Sequence, residues 1–321
     1  MKAVAIQKFG GPDGLAVVDL PDPTPASGEV LISTEAIGVG FQHVLIRSGA
    51  LTGHGMEKGH ILGGELAGTV SAVGNDVDPD WIGQRVWAFV ASGSYADKAT
   101  ARATELVRLP PGMSAVDAVT IGGSGGVAHF SLRHGRFAAG ERVLVRGAAG
   151  GIGIMLVQLA AQRGARVVAV TASSVERGER LRRLGATHVL NRAGNSVEGS
   201  PADYDLIIDI VGGPDLPSFF GKLRPNGRMV SVGAVAGFPP PDFAQDMFKA
   251  FHKSLSFSTF SANPACVPEP ERRAVTADLL AAADRGELQA VVHDVLPLEQ
   301  AVLAHQKMEA GQLFGRIALT P

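Results

Sequence analysis

The 321 residues include a single cysteine, Cys266. That excludes an intramolecular disulfide framework and any cysteine-cluster metal site. The formal net charge is −2, so there is no electrostatic reason to expect a nucleic-acid or anionic-membrane partner. No uninterrupted apolar segment is long enough to span a bilayer. The opening residues, Met1 to Lys8, alternate like a strand and lack the apolar core of a signal peptide. A soluble cytoplasmic protein acting on a small molecule is the expectation. Tryptophan and tyrosine are scarce too, two of each, whereas glycine occurs 41 times. Abundant glycine beside alanine and valine suits the tight strand–turn–helix packing of an α/β fold. With 45% hydrophobic and 19% charged residues, the chain reads as globular.

Residues 1–120 read as short strands separated by Gly/Pro turns, with a short helix at Phe41–Arg47. From about Glu141 the pattern changes. Strands are predicted at Arg142–Val145, Arg166–Val170, His188–Leu190, Asp205–Ile210, Arg228–Val232 and Leu255–Phe260. Helices are predicted between them at Ile152–Gln162, Val175–Leu184 and Pro214–Leu223. That alternation implies a parallel sheet covered on both faces. Helices at Glu271–Arg285 and Leu298–Ala310 and a last strand at Gly315–Leu319 do not extend it, so the chain is expected to return to its first domain.

The segment Gly147-Ala148-Ala149-Gly150-Gly151-Ile152-Gly153 lies between a predicted strand and a helix, the context a dinucleotide fingerprint requires. Gly150 lets the backbone approach a pyrophosphate, Gly153 permits close helix packing, and the helix start offers free N–H donors. Ala148 stands where the first glycine usually does. An acidic residue at the end of the second strand would select NAD by binding the ribose 2′-hydroxyl. Here that strand runs into Thr171-Ala172-Ser173-Ser174, with Arg177 on the next helix and Arg192 past the third strand. Hydroxyls and a guanidinium suit a 2′-phosphate, so NADPH is the expected cofactor. The plainer reading of Arg177, Arg180, Arg182 and Arg183 is a solvated helix face, and it is preferred for the last three.

Several segments together resemble the medium-chain dehydrogenase/reductase superfamily, in its zinc-independent, zeta-crystallin-like quinone oxidoreductase branch. They are Ile46–Gly49, Ile61–Val73, Gly83–Val86, Gly93–Asp97, Arg142–Gly153, Leu184–Val189 and Gly315–Leu319. The resemblance implies a GroES-like β-rich catalytic domain from residues 1–120 and 262–321, and a Rossmann domain, a doubly wound parallel sheet, from 121–261. It implies an active site in the cleft between them, with Ala148, Gly150, Gly151, Ile152, Gly153, Thr171, Ser173, Ser174, Arg177, Arg192, Val232 and Gly233 on the cofactor. It also implies hydride transfer from NADPH to quinones or activated alkenes, and a homodimer formed through the last Rossmann strand. Zinc relatives place a Cys and a Gly-His-Glu where this chain has Gly40 and Gly63-Gly64-Glu65. Branch members usually have Asn at Gly40 and Tyr at Leu51, so the proton source is left open.

His43 stands where the relatives carry Asp. It reads either as a proton donor with a pKa suited to neutrality or as a buried, hydrogen-bonded histidine. His54, His60 and His129 are further candidates to line the cleft, His60 more simply serving a turn. Phe41, Leu51 and His129 are the expected substrate pocket, while Met56, Phe238, Phe243 and Met247 read equally as wall or core. Gly122-Gly123-Ser124-Gly125-Gly126 suggests a roomier cleft or a hinge. Two other functions share these features: a non-catalytic NADPH-binding sensor or scaffold, and a biosynthetic tailoring reductase for a bulky intermediate.

Overall fold

The computed structural model describes residues 1–51, 56–195 and 201–321. Two compact units form, one from Met1–Gly123 with Val267–Pro321, the other from Ser124–Cys266. In the first, β1 (Lys2–Ile6) and β2 (Leu15–Asp19) make an antiparallel pair. There follow β3 (Glu29–Gly38), α1 (Phe41–Ser48), β4 (Glu65–Val73), β5 (Arg85–Phe89), β6 (Lys98–Arg102) and β7 (Leu106–Arg108), after which α2 (Ala115–His134) runs on into the second unit. The second unit holds β8 (Arg142–Arg146), α3 (Gly151–Gln162), β9 (Val167–Thr171), α4 (Val175–Arg183), β10 (His188–Leu190), β11 (Tyr204–Asp209), β12 (Leu223–Ser231), α5 (Ala244–Lys249) and β13 (Ser256–Thr259). The chain then returns through α6 (Glu269–Asp284), β14 (Val292–Pro297), α7 (Ala301–Glu309) and β15 (Arg316–Thr320) to the first.

The first unit is a mixed sheet in the order β14-β15-β3-β4-β5-β7, with β6 also paired to β3. Along β3, Val30 and Ile32 point into one core with Leu66, Val70 and Val86, all at most 1% exposed. On this half-buried sheet, side chains alternate between core and surface. Ile37 at the far end of β3 belongs to a second core with Ile6, Leu62, Tyr95, Ile317 and Leu319.

The second unit is a six-stranded sheet, β10-β9-β8-β11-β12-β13, parallel throughout. Val143, Leu144 and Val145 of β8 and Leu206, Ile207 and Ile208 of β11 are fully buried. Continuous apolar runs are what strands covered on both faces require, and each such side chain contributes roughly 1.5–3 kcal/mol of transfer energy. The order places β8 and β11 side by side with their neighbours leaving in opposite directions, so ligands are accommodated beyond their carboxyl ends. This is a Rossmann sheet joined to a GroES-like β-rich unit.

Two expectations need correction. Pro214–Leu223 is not an α-helix but a 3-10 run at Leu216–Lys222, with Leu216, Phe219 and Phe220 buried against the sheet. Leu298–Ala310 opens with a 3-10 turn at Leu298–Gln300 before α7 begins. The Gly122–Gly126 run lies inside the 20-residue helix α2, and the boundary between the two units falls within it, after Gly123. A Cβ on Gly122 would lie 2.7 Å from Cε2 of Trp87, and one on Gly123 2.5 Å from Oε1 of Glu65. These glycines exist for close approach. No helix among the described residues is long and apolar enough to cross a membrane.

Candidate functional site

In the second unit, the turn after β8 reverses direction at Gly147, whose φ of +88° belongs to the left-handed region that glycine tolerates. Gly150 caps α3, and a Cβ there would meet nothing nearer than the Gly147 carbonyl at 4.0 Å, so its outer face is open. Gly153 is the reverse case: a Cβ would stand 2.6 Å from Cα of Ala148, which is itself buried. The open side of Gly150, followed by the half-buried Gly151 and Ile152 at the start of a 12-residue helix, forms a cradle that fits a pyrophosphate.

The residues at the end of β9 divide their work. Thr171 is buried, and its hydroxyl accepts from Gly147 N–H at 3.3 Å, so it braces the loop instead of standing free for a 2′-phosphate. Ser174 caps α4, its oxygen accepting from Arg177 N–H at 3.3 Å. Ser173 is exposed and accepts from Nη1 of Arg177 at 3.2 Å, which sets a hydroxyl beside a guanidinium. Arg192 is exposed just past β10. Val232 donates its N–H to Asp209 O, and a Cβ on Gly233 would come within 2.7 Å of the Ile210 carbonyl, so both lie against the turn after β11.

Sequence reasoning missed that turn. Arg146 and Asp209 are buried at the carboxyl ends of β8 and β11 and meet at 3.2 Å. Asp209 also accepts from the N–H groups of Val211 and Gly212 at 2.9 and 3.0 Å. Burial raises its pKa, and Arg146 opposes the rise. The pair fixes the backbone facing the phosphate loop. Arginine ending a run of buried apolar residues was the available signal.

In the first unit, Gly40 caps α1 and His43 lies one turn in. Of the two readings of His43, the geometry favours the buried, hydrogen-bonded histidine over the acid with a near-neutral pKa. His43 is 2% exposed, and burial pushes its pKa down to about 3, helped by the positive potential of His305 and Arg316. Its Nδ1 lies 3.2 Å from Gly40 N and 3.1 Å from the Tyr95 hydroxyl, which in turn lies 3.2 Å from Nε2 of His305. Burial pushes Tyr95 up and His305 down to about 3. A Cβ on Gly64 would stand 3.5 Å from Nε2 of His43, and one on Gly40 would stand 3.8 Å from its Cε1. The imidazole therefore borders both positions at which zinc relatives carry ligands.

Glu65 is buried below Gly64, where it pairs with Arg316 and accepts from Trp87 Nε1 at 2.8 Å and Gly123 N at 3.0 Å. Phe41 is half-buried, and Leu51 is 42% exposed. His60 meets Ser92 Oγ at 2.9 Å and closes a turn onto Glu57, the simpler of its two readings. His129 belongs to the second unit, where its Nδ1 accepts from Nη2 of Arg163 at 2.7 Å. It flanks a depression of about 300 Å³ with Leu132, Arg133 and Phe137. Phe243 and Met247 pack on the Rossmann core, while Phe238 is exposed. His54 lies outside the described residues.

Two family descriptions match the chain: an alcohol dehydrogenase GroES-like domain over residues 26–136, and a zinc-binding dehydrogenase over residues 184–319. Quinone oxidoreductase of Mus musculus is 30% identical over 97% of this chain and 95% of its own length. The chain belongs to the medium-chain dehydrogenase/reductases, in their zinc-independent quinone oxidoreductase branch. A second member, 2-haloacrylate reductase of a Burkholderia species, is 28% identical over 99% of this chain and 98% of its own. A mycobacterial protein solved in complex with NADPH superposes over the full length of both chains with a TM-score of 0.91 and 31% identity. Within this branch, the glycines at 40 and 64 are the chain's own form of a site without metal ligands.

Proposed function

We propose that the chain is an NADPH-dependent, metal-free reductase of quinones or α,β-unsaturated carbonyl compounds. The observation that carries the reading is the cradle at Gly150–Gly153, opening at the strand-order reversal, with the Ser173–Arg177 pair at the end of the next strand. In it, Gly150, Gly151 and Ile152 hold the pyrophosphate, Ser173 and Arg177 with Arg192 hold the 2′-phosphate, and Val232 and Gly233 lie along the dinucleotide. The NADPH bound to the mycobacterial relative supports this, as do quinone and haloacrylate acceptors in the names of the other two.

NADPH supplies the hydride when bound. The chain's own task is to hold the acceptor in line and keep its carbonyl polarised. Gly40 and Gly64 give no Lewis acid, so an acceptor that is already electrophilic is required; orientation then accounts for most of the rate. Phe41 and Leu51 offer the acceptor an apolar surface. His43, neutral at physiological pH, holds its proton, and protonation of the product falls to solvent. On this reading the unit Met1–Gly123 with Val267–Pro321 is the catalytic domain, and Ser124–Cys266 the cofactor domain. The free edge of β13, with Phe248 and Phe251 76% and 78% exposed nearby in the chain, supports a homodimer through that strand. The protein is assigned to the cytoplasm, acting on small molecules.

Oxidation of NADPH should depend on acceptor across a panel of quinones and enones and should survive exhaustive chelation. Tight NADPH binding with no turnover on any acceptor would instead make the chain a sensor or scaffold.

A further inference from the structure

The buried contacts around His43 have only one consistent direction. A backbone N–H can only donate, and that of Gly40 meets Nδ1 of His43 at 3.2 Å. Nδ1 therefore carries the lone pair, and the hydrogen of the neutral ring sits on Nε2. The Tyr95 hydroxyl, 3.1 Å from the same Nδ1, must donate to it as well. With its one hydrogen committed, the Tyr95 oxygen accepts from Nε2–H of His305 at 3.2 Å. Nδ1 of His305 has no partner among the described residues, which agrees with its carrying no hydrogen. One backbone amide thus orients His305, Tyr95 and His43 in series.

At the far end, Nε2–H of His43 needs an acceptor. The Gln42 amide nitrogen lies 3.4 Å away, and an amide nitrogen cannot accept. A half-turn of the nearly isosteric amide brings Oε1 to the imidazole. The NH2 of this exposed side chain is then left as an outward donor. A Cβ on Gly64 would stand 3.1 Å from the Gln42 amide, and one on Gly40 3.7 Å from its Cδ. The chain ends between the two positions that lack metal ligands.

We propose that Gln42 donates the hydrogen bond that polarises the acceptor's carbonyl oxygen, and that His305, Tyr95 and His43 are positioning residues that fix which end of its amide is presented. The proposal rests on the reductase reading above. Hydride from NADPH adds with its electron pair to the β-carbon, the alkene π pair shifts into the bond between the α-carbon and the carbonyl carbon, and the C=O π pair moves onto the oxygen. The Gln42 N–H stabilises that charge without giving up its proton, and water then protonates the α-carbon. A fixed neutral donor aimed at developing charge suits such a site, because it needs no reorganisation.

The test is ¹⁵N NMR of the full chain, free and with NADP⁺, which cannot reduce an enone. His43 and His305 should both show a protonated Nε2 and a bare Nδ1, and Tyr95→Phe should move the His43 Nδ1 resonance. Adding 2-cyclohexenone should shift the Gln42 side-chain NH2 signals. A proton on Nδ1 of His43, or Gln42 signals indifferent to the enone, overturns the proposal. Gln42→Leu should lower kcat/KM for 2-cyclohexenone about tenfold with the NADPH Kd unchanged, and Gln42→Asn should recover part of it. An unchanged kcat/KM in Gln42→Leu overturns it as well. Absence of wild-type turnover on every acceptor would sink the reductase reading alone, while the NMR result still decides the role of Gln42.

Discussion

Two buried imidazoles make the protein's stability sensitive to acid. His43 and His305 ionise near 3 when folded, against an ordinary value of 6.5. The unfolded chain therefore binds more protons as pH falls below 6.5. Stability that is complete above that value is lost toward pH 3, at about 1.4 kcal/mol per pH unit for each imidazole. Urea unfolding at a series of pH values should show His305→Asn losing stability less steeply than wild type, by one imidazole's share, between about pH 6 and about pH 4. Equal slopes would mean that His305 is not held neutral by burial. At the other site, Arg177→Ala should weaken NADPH about tenfold and leave NADH unchanged, as read by calorimetric titration, because only the former carries a 2′-phosphate. The candidacy of Arg177 came from its place after an acid-free strand end, and the structure adds its contact with Ser173. For His43 the sequence offered burial as one of two readings, but not the partners that set its tautomer, Tyr95, 52 residues away, and His305, a further 210 from Tyr95.

Single elements carry two kinds of glycine. In the phosphate loop, Gly150 is open and Gly153 is jammed against Ala148. Gly153→Val should abolish dinucleotide binding by forcing α3 off the loop, and loss of NADPH fluorescence enhancement would register it. In α2, Gly122→Ala and Gly123→Ala should each destabilise by about 1–3 kcal/mol through overpacking against Trp87 and Glu65, despite alanine's better helix propensity. A gain in urea midpoint would mean that the helix can move away. The parallel strands were readable because runs such as Val143–Val145 are apolar without interruption, which a sheet covered on both faces demands. The close packing at Gly122 and Gly123 was not readable from sequence, because its partners, Trp87 and Glu65, come from other elements. The 3-10 run at Leu216–Lys222 was mistaken for an α-helix because apolar spacing near three residues does not separate the two.

For the whole molecule, the fold confines the chemistry more than any one residue does. The second unit offers a dinucleotide cradle, and the first offers two glycines, a neutral imidazole and an exposed amide in place of a metal site. Assembly is tested by Phe248→Asp with Phe251→Asp, which should turn a sedimenting dimer into a monomer. The central claim is metal-free hydride transfer from NADPH to an activated double bond, and the most direct measurement follows the hydrogen itself. Chelator-treated protein, incubated with NADPH carrying deuterium on either face of the nicotinamide C4 and an enone, should yield a saturated ketone with one deuterium at the β-carbon from one face only. Product without deuterium from either face, or reduction that appears only when a metal ion is restored, would contradict it.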